Sequence, residues 1–243
     1  MFALYRKELN SFFGSPVAYV VLGIFLTANA LFLWIWPDTN LLDHGYADLT
    51  PFFQQAPLFF LLLIPGITMR MFAEEIHTGT LEILMTRPIS LFGIVLGKFW
   101  AALTLVGLAL LPTLVYTVAL SALAENGVGM ETGALAGSYL GLIFLAAVYA
   151  AAGIFASSLV SNQLISLLLG MLLCAFLSLG LPAIASLPIF GAFDLFILEL
   201  GIQAHYTSIS RGVIDARDIF YFITAAAFFL LLSVVRLNSS KIS

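Results

Sequence analysis

The side chains with the most chemistry to offer lie between residues 69 and 90, a polar segment flanked by two long apolar runs. Glu74 and Glu75 stand near its start, and Gly79 can end one helix and admit another. We predict a short helix over residues 80–86, which Pro88 would stop. Glu82 would lie near the N-terminus of that helix, where a negative charge suits the helix dipole.

The apolar side chains of this short helix indicate what the segment could do. Leu81, Leu84 and Met85 would form one face, which could dock in the groove of a partner protein. A plain connector needs few residues and gains nothing from apolar side chains, so docking is favoured over an ordinary loop. The candidate docking residues are Glu74, Glu75, Gly79, Thr80, Leu81, Glu82, Leu84, Arg87 and Pro88.

No catalytic or metal-binding set accompanies this segment. His44, His77 and His205 are scattered along the chain, and Cys174 lies inside an apolar run. No paired carboxylates or nucleophile–base pair stand at one depth, so we predict no cofactor and no metal in this chain. The chain is not expected to be an enzyme by itself.

Glycines that follow the polar segment have a weak likeness to a phosphate loop at residues 93–99. The stretch is one residue too short, and Phe99 stands where Ser or Thr would bind magnesium. Close helix packing at Gly93 and Gly97 is the better interpretation, with Lys98 extending to the membrane interface. A second packing face, either within the bundle or between subunits, is predicted by Gly133, Gly137 and Gly141.

Composition determines the solvent that these segments need. Of the 243 residues, 62% are hydrophobic and 9% are charged, whereas soluble proteins carry roughly a quarter charged residues. No basic stretch suits nucleic acid. Lipid is the solvent that fits, and we predict an all-α polytopic membrane protein.

Six apolar stretches are long enough to cross a bilayer as helices. An amphipathic N-terminal helix over residues 1–14 would lie on the membrane surface, and residues 73–92 and 188–218 would form the two main segments outside the membrane. Pro65-Gly66 could be a hinge or a static kink. The predicted transmembrane helices are 16–36, 56–72, 93–123, 134–160, 164–187 and 219–235.

Basic residues indicate the orientation, because cytoplasmic loops of membrane proteins are enriched in Lys and Arg. With both termini on one side, that side holds seven of the nine basic residues, and only Arg211 and Arg217 lie opposite. The termini are therefore predicted to be cytoplasmic. The span cores carry no charged side chain, which argues against a proton-coupled carrier and, more weakly, against a sodium-coupled one.

Charged residues gather again before the last span. They could form a docking surface for an extracytoplasmic partner domain or a local network of ion pairs that fixes the loop, and the sequence leaves both open. The residues are His205, Arg211, Asp215, Arg217 and Asp218.

The polar segment resembles a known family. Its pattern of Glu74-Glu75, Thr78-Gly79-Thr80-Leu81-Glu82 and Arg87-Pro88 is similar to the coupling segment of ABC-2 type permeases. The chain as a whole resembles the GldF-like permeases of gliding-motility-associated ABC transporters, although Ile76-His77 stands where that pattern has charged residues. The further stretches that carry this resemblance are residues 11–16, 47–53, 153–157 and 205–218.

The resemblance implies a fold and a set of partners. The fold is that of type V exporters: six transmembrane helices, an interfacial helix and a cytoplasmic coupling helix. A separate GldA-like subunit would bind ATP and Mg²⁺, a GldG-like membrane protein would carry an extracytoplasmic domain, and a second permease half, another copy or a different chain, would complete the pathway.

The implied function is ATP-driven transport, or mechanical work linked to gliding motility or secretion, in the bacterial inner membrane. The alternative is a scaffold that moves extracytoplasmic partners without solute flux.

Overall fold

The computed structural model describes residues 1–36, 49–123, 132–186, 194–213 and 215–240. Several predictions from the sequence fall outside these ranges. They concern His44, the first part of the 47–53 stretch and residues 188–193 of the second outer segment.

Thirteen α-helices form the described part of the chain, and six segments in it are long and apolar enough to cross a membrane. The second segment breaks between α3 and α4, a 3₁₀ turn at Leu111–Thr113 joins α6 to α7, and a π-helical turn at Phe176–Gly180 joins α9 to α10. The helices are α1 Phe2–Phe13, α2 Pro16–Trp34, α3 Thr50–Thr68, α4 Ala73–His77, α5 Thr80–Met85, α6 Leu91–Leu110, α7 Leu114–Leu123, α8 Thr132–Leu159, α9 Gln163–Ala175, α10 Leu181–Ala185, α11 Asp194–Leu200, α12 Ile202–Ile209 and α13 Ala216–Ser240.

Six crossings put both ends of the chain at one end of the bundle. This end, called here the α1 end, carries α1 and the segment of residues 73–90, which contains α4 and α5 and is called here the α4–α5 loop. Helices α11 and α12 lie at the opposite end, called here the α12 end. The all-helical, six-span prediction is confirmed for the described residues.

Two helices differ most from their predicted bounds. The second span begins at Thr50 rather than at residue 56, because Pro51 fits the first turn of a helix, where no N–H is needed. The last helix runs over Ala216–Ser240 rather than 219–235, so it includes Asp218 and Arg236. The prediction is too short because it follows the apolar run, which ends where the charged residues begin, whereas the helical backbone continues past them.

Helix α8 fills the centre of the bundle and packs against α3, α6, α9 and α13. Its small side chains, among them Ala146, Ala152 and Gly153, have no exposed surface or form direct contacts with neighbouring helices. Small residues let helix backbones approach closely, and this drives association inside a membrane. The core is therefore built around the fourth span.

Helices α1 and α2 lie at the periphery. Helix α1 packs on α6 through Leu4 and Glu8, and Tyr5 and Leu9 lean against the same core, while Phe2 is exposed. The apolar side chains of this helix, which was predicted to lie on the membrane surface, are thus turned partly towards the protein. Helix α2 packs chiefly on α3, and it buries only Ala18, Phe25, Asn29 and Leu33.

Candidate functional site

Four charged side chains meet at the α1 end, and we call them the Lys98 cluster: Lys7, Glu8, Glu75 and Lys98. The Lys98 side chain is 0% exposed, and its Nζ lies 2.7 Å from Glu8 Oε1 and 3.0 Å from Glu75 Oε2. It also donates to the carbonyl of Met71. Lys7 Nζ lies 2.6 Å from Glu75 Oε1 and 3.4 Å from Glu8 Oε1. Two cations and two anions therefore join α1, α4 and α6.

This cluster corrects one expectation from the sequence. Lys98 is not a surface lysine whose ammonium reaches water, because its side chain is fully buried and paired within the chain. Lys98 lies about 10 Å along α6 from its first residue, and it turns inward because two carboxylates and a carbonyl satisfy it there. An unpaired ammonium would instead reach for water.

The electrostatics of the cluster favour the charged form of Lys7. Burial lowers the pKa of Lys7, but the hydrogen bond to Glu75 and the charges of Glu8 and Glu75 outweigh it, so the pKa lies above its ordinary 10.5. A raised lysine pKa adds stability that is complete below the unfolded-state value and lost only as pH rises through the folded-state value. Lys7 therefore contributes its charge to the cluster at neutral pH, and alkali would weaken that contribution.

The break between α3 and α4 is bridged by one hydroxyl of α8. Ser157 Oγ accepts hydrogen bonds from the backbone N–H groups of Phe72 and Ala73, both at 3.0 Å, and donates to the carbonyl of Met69 at 3.0 Å. These backbone groups would otherwise lack partners in a water-poor interior. The α4–α5 loop is thereby fixed to the central helix.

Helix α5 presents a different face from the one predicted. Leu81 is only 9% exposed, and Leu84 and Met85 pack against the core of this chain. The apolar face that could have docked in a partner is thus turned inward, because it also completes the core beneath the loop. Ile83 is 60% exposed, and Glu82 beside it is exposed as well.

The other predicted docking residues surround this helix. Glu74 pairs with Arg70 at 3.0 Å on the surface, whereas Glu75 belongs to the Lys98 cluster. Gly79 has φ of 68°, a left-handed conformation that glycine adopts without strain, and it separates α4 from α5. The remaining residues are exposed: Thr80, Arg87 and Pro88.

At the α12 end the structure divides the five predicted docking residues. His205 Nδ1 lies 2.7 Å from Asp218 Oδ1, and Nε2 lies 2.8 Å from the carbonyl of Glu199. The imidazole also stacks on Tyr221, with ring centroids 3.9 Å apart. These contacts hold α11 and α12 against α13. The three residues that stay exposed are Arg211, Asp215 and Arg217.

The predicted packing glycines also divide. Gly97 faces Leu4 of α1, while Gly137 and Gly141 face the segment that contains Ile209 and Gly212. A Cβ at Gly141 would lie 2.5 Å from Ile209 Cγ2, so these two glycines of α8 contact this chain rather than a second subunit. The other two predicted packing glycines approach no other helix in the part of the chain that the structure describes: Gly93, whose neighbours are Ser90 and Ile89, and Gly133.

Gly212 is expected to tolerate no side chain. Its φ is 81°, and a Cβ would lie 2.4 Å from Ala134 Cα. Gly212→Ala should lower the free energy of unfolding by about 2–4 kcal/mol, measured by SDS titration in mixed micelles. The matched control is Gly133→Ala, where no described atom lies within 4 Å. Equal effects of both substitutions would contradict the expectation.

Sequence reasoning missed the residues that hold the site together, namely Lys98, Glu8 and Ser157. A lone cation two turns inside an apolar span is by itself a signal for a site, and Lys98 met that description. Glu8 lies four residues after Leu4, on the face of α1 that packs inward. Nothing local marked Ser157, because its partners are backbone groups about 85 residues away.

Fold and site together define a class: a helical integral membrane protein with a largely buried cluster of four charged side chains at one end of the bundle, next to a short helical segment between the second and third spans. A model of the ABC-2 family transporter proteins matches residues 39–240. The chain belongs to this family, and it is an ABC-2 type permease. No curated protein matches the sequence.

Proposed function

We propose that this chain is the membrane-spanning subunit of an ATP-driven transporter and that its α4–α5 loop receives a separate ATPase subunit. ATP and Mg²⁺ would be bound by that subunit. The α1 end, with both termini, would lie in the cytoplasm of a bacterium, because seven of nine basic residues are assigned to it. The membrane would be the inner one.

The observation that carries this proposal is that the α4–α5 loop has exposed residues on its outer side and is attached to the spans on its inner side. Glu82, Ile83 and Arg87 face outward, and we call these three exposed residues the exposed edge. Beneath them, Ser157 and Lys98 connect the loop to α8 and α6. A partner that binds the edge could therefore displace the spans as rigid bodies.

The proposal also includes what the resemblance to GldF-like permeases implies. We infer a GldA-like ATPase, a GldG-like third component and a role in gliding motility or secretion. The exposed Arg211, Asp215 and Arg217 at the α12 end would offer the charged surface to the extracytoplasmic partner. His205 and Asp218 would fix the shape of that surface from beneath.

Charging the exposed edge tests the ATPase contact. Ile83→Asp should abolish co-purification with a co-expressed GldA-like ATPase, because a carboxylate would enter an apolar contact without a partner. Val213→Asp is the matched control, since Val213 is also 60% exposed but lies at the α12 end. Leu81→Asp is unsuitable, because Leu81 is part of the core. Full ATPase binding by the Ile83 variant would contradict the proposed contact.

A second candidate function is mechanical work without solute flux. It is favoured by the centre of the described bundle, where most of the buried side chains of α8 are apolar and closely packed against neighbouring helices. A pathway would then require a second permease half. Vesicles reconstituted with the ATPase separate the candidates, because ATP hydrolysis without movement of any lipid or solute supports mechanical work.

A further inference from the structure

We propose that the Lys98 cluster is a latch that makes α1 and the first span, α2, move together with the α4–α5 loop. This inference rests on the proposed function, because it concerns the path by which ATPase binding at the loop reaches the membrane. It assigns to Lys7 and Glu8 a positioning role that is separate from the ATPase contact itself.

The latch connects elements that are remote in the chain. Glu8 on α1 and Glu75 on α4 are both held by Lys98 of α6, and Lys7 adds a direct contact between α1 and α4. With the Glu8 side chain 10% exposed and the Glu75 side chain 8% exposed, water screens these charges weakly. If α4 moved without α1, Lys98 would have to separate from either Glu75 or Glu8. Separating such buried opposite charges is strongly unfavourable.

Helix α1 passes this displacement directly to α2. The turn between them is closed by hydrogen bonds from the N–H of Gly14 to the carbonyl of Asn10 and from the N–H of Ser15 to the carbonyl of Phe12. Pro16 then starts α2 with a fixed φ. The two helices therefore share a short, stiff joint rather than a flexible linker.

Helix α2 is also free enough to move. Four of its nineteen residues are buried, and it packs chiefly on α3. Close contact with α3 occurs at Gly66, where an added Cβ would lie 3.1 Å from Val21 Cγ1. A span with one principal neighbour can tilt while it loses little packing. The latch thus selects α2 as the span that responds to the loop.

A distance measurement on the complex tests the latch. Spin labels would be attached to cysteines that replace Val20 on α2 and Leu172 on α9, which are both exposed, in a Cys174→Ala background. The chain would be assembled with the GldA-like ATPase in nanodiscs. Addition of a non-hydrolysable ATP analogue should shift the distance between the labels in the parent protein.

The decisive variant is Lys7→Gln with Glu8→Gln, which removes both contributions of α1 and leaves the Lys98–Glu75 pair in place. We expect the ATPase to bind and the distance shift to be lost. Arg6→Gln is the control, because Arg6 is an exposed cation on the same helix, and it should keep the shift. If the double variant folds poorly, Glu8→Gln alone should give a smaller shift than the parent.

The remaining outcomes separate this inference from the proposed function. A full shift in the double variant with the ATPase bound overturns the latch and leaves the proposed function standing. Absence of a shift in the parent complex also overturns it, since α2 would not respond. Failure of the parent chain to bind the ATPase removes the proposed function and the latch together.

Discussion

Lys98→Met is expected to lower the free energy of unfolding by about 3–5 kcal/mol, because it leaves the largely buried carboxylates of Glu8 and Glu75 with the half-exposed Lys7 as their remaining cation in the cluster. Lys98 is fully buried, and methionine keeps the unbranched stem of the lysine side chain but lacks its ammonium group. The measurement is an SDS titration in mixed micelles, followed by helicity. A loss below about 1 kcal/mol would show that water reaches the site and solvates both carboxylates.

Compensating substitutions identify the cause of that loss. Adding Glu8→Gln and Glu75→Gln to Lys98→Met removes the uncompensated charge, and the triple variant should recover most of the lost stability. Lys7 would then lose its partners, but its side chain is 54% exposed and water can solvate it. If the triple variant were as unstable as the single one, packing of the lysine stem rather than charge would be responsible.

The sequence predicts the spans well because their signal is local. Apolar runs of sufficient length identify the six spans, and Gly79 and Pro88 delimit a short helix that the structure places at Thr80–Met85. Glycine and proline affect the backbone within a few residues, so their positions predict helix ends without tertiary information.

The orientation of side chains about those helices needs tertiary information. Periodicity groups Leu81, Leu84 and Met85 on one face of α5, but it does not say whether that face meets a partner or the chain's own core. In the structure this face packs against the chain's own core. Likewise, the Lys98 cluster joins residues 8, 75 and 98, whose proximity follows only from how α1 and α4 pack on α6.

The same distinction explains the α12 end. A cluster of His205, Arg211, Asp215, Arg217 and Asp218 is visible in the sequence. Its division into a partly buried pair and three exposed charges depends on α13 beginning at Ala216, which puts Asp218 opposite His205. Helix boundaries near charged residues are weakly specified by composition, and side-chain pairing settles them.

Ser157→Ala should be about as damaging as loss of Lys98, although it removes a single oxygen atom. The variant leaves the N–H groups of Phe72 and Ala73 buried without an acceptor, and each unsatisfied group costs about 1–3 kcal/mol. We expect an unfolding free energy lower by about 2–4 kcal/mol in the SDS titration, together with faster hydrogen exchange at these two amides, because the break between α3 and α4 loses its bridge.

Ser158→Ala is the matched control for this expectation. Ser158 is also buried, but its Oγ donates only to the carbonyl of Phe155 in its own helix, which already has a backbone partner in a regular α-helix. Its loss should change the unfolding free energy by less than about 1 kcal/mol. Similar effects at both serines would mean that the broken backbone finds other partners, and the α4–α5 loop would then be attached to α8 less firmly than the coupling proposal requires.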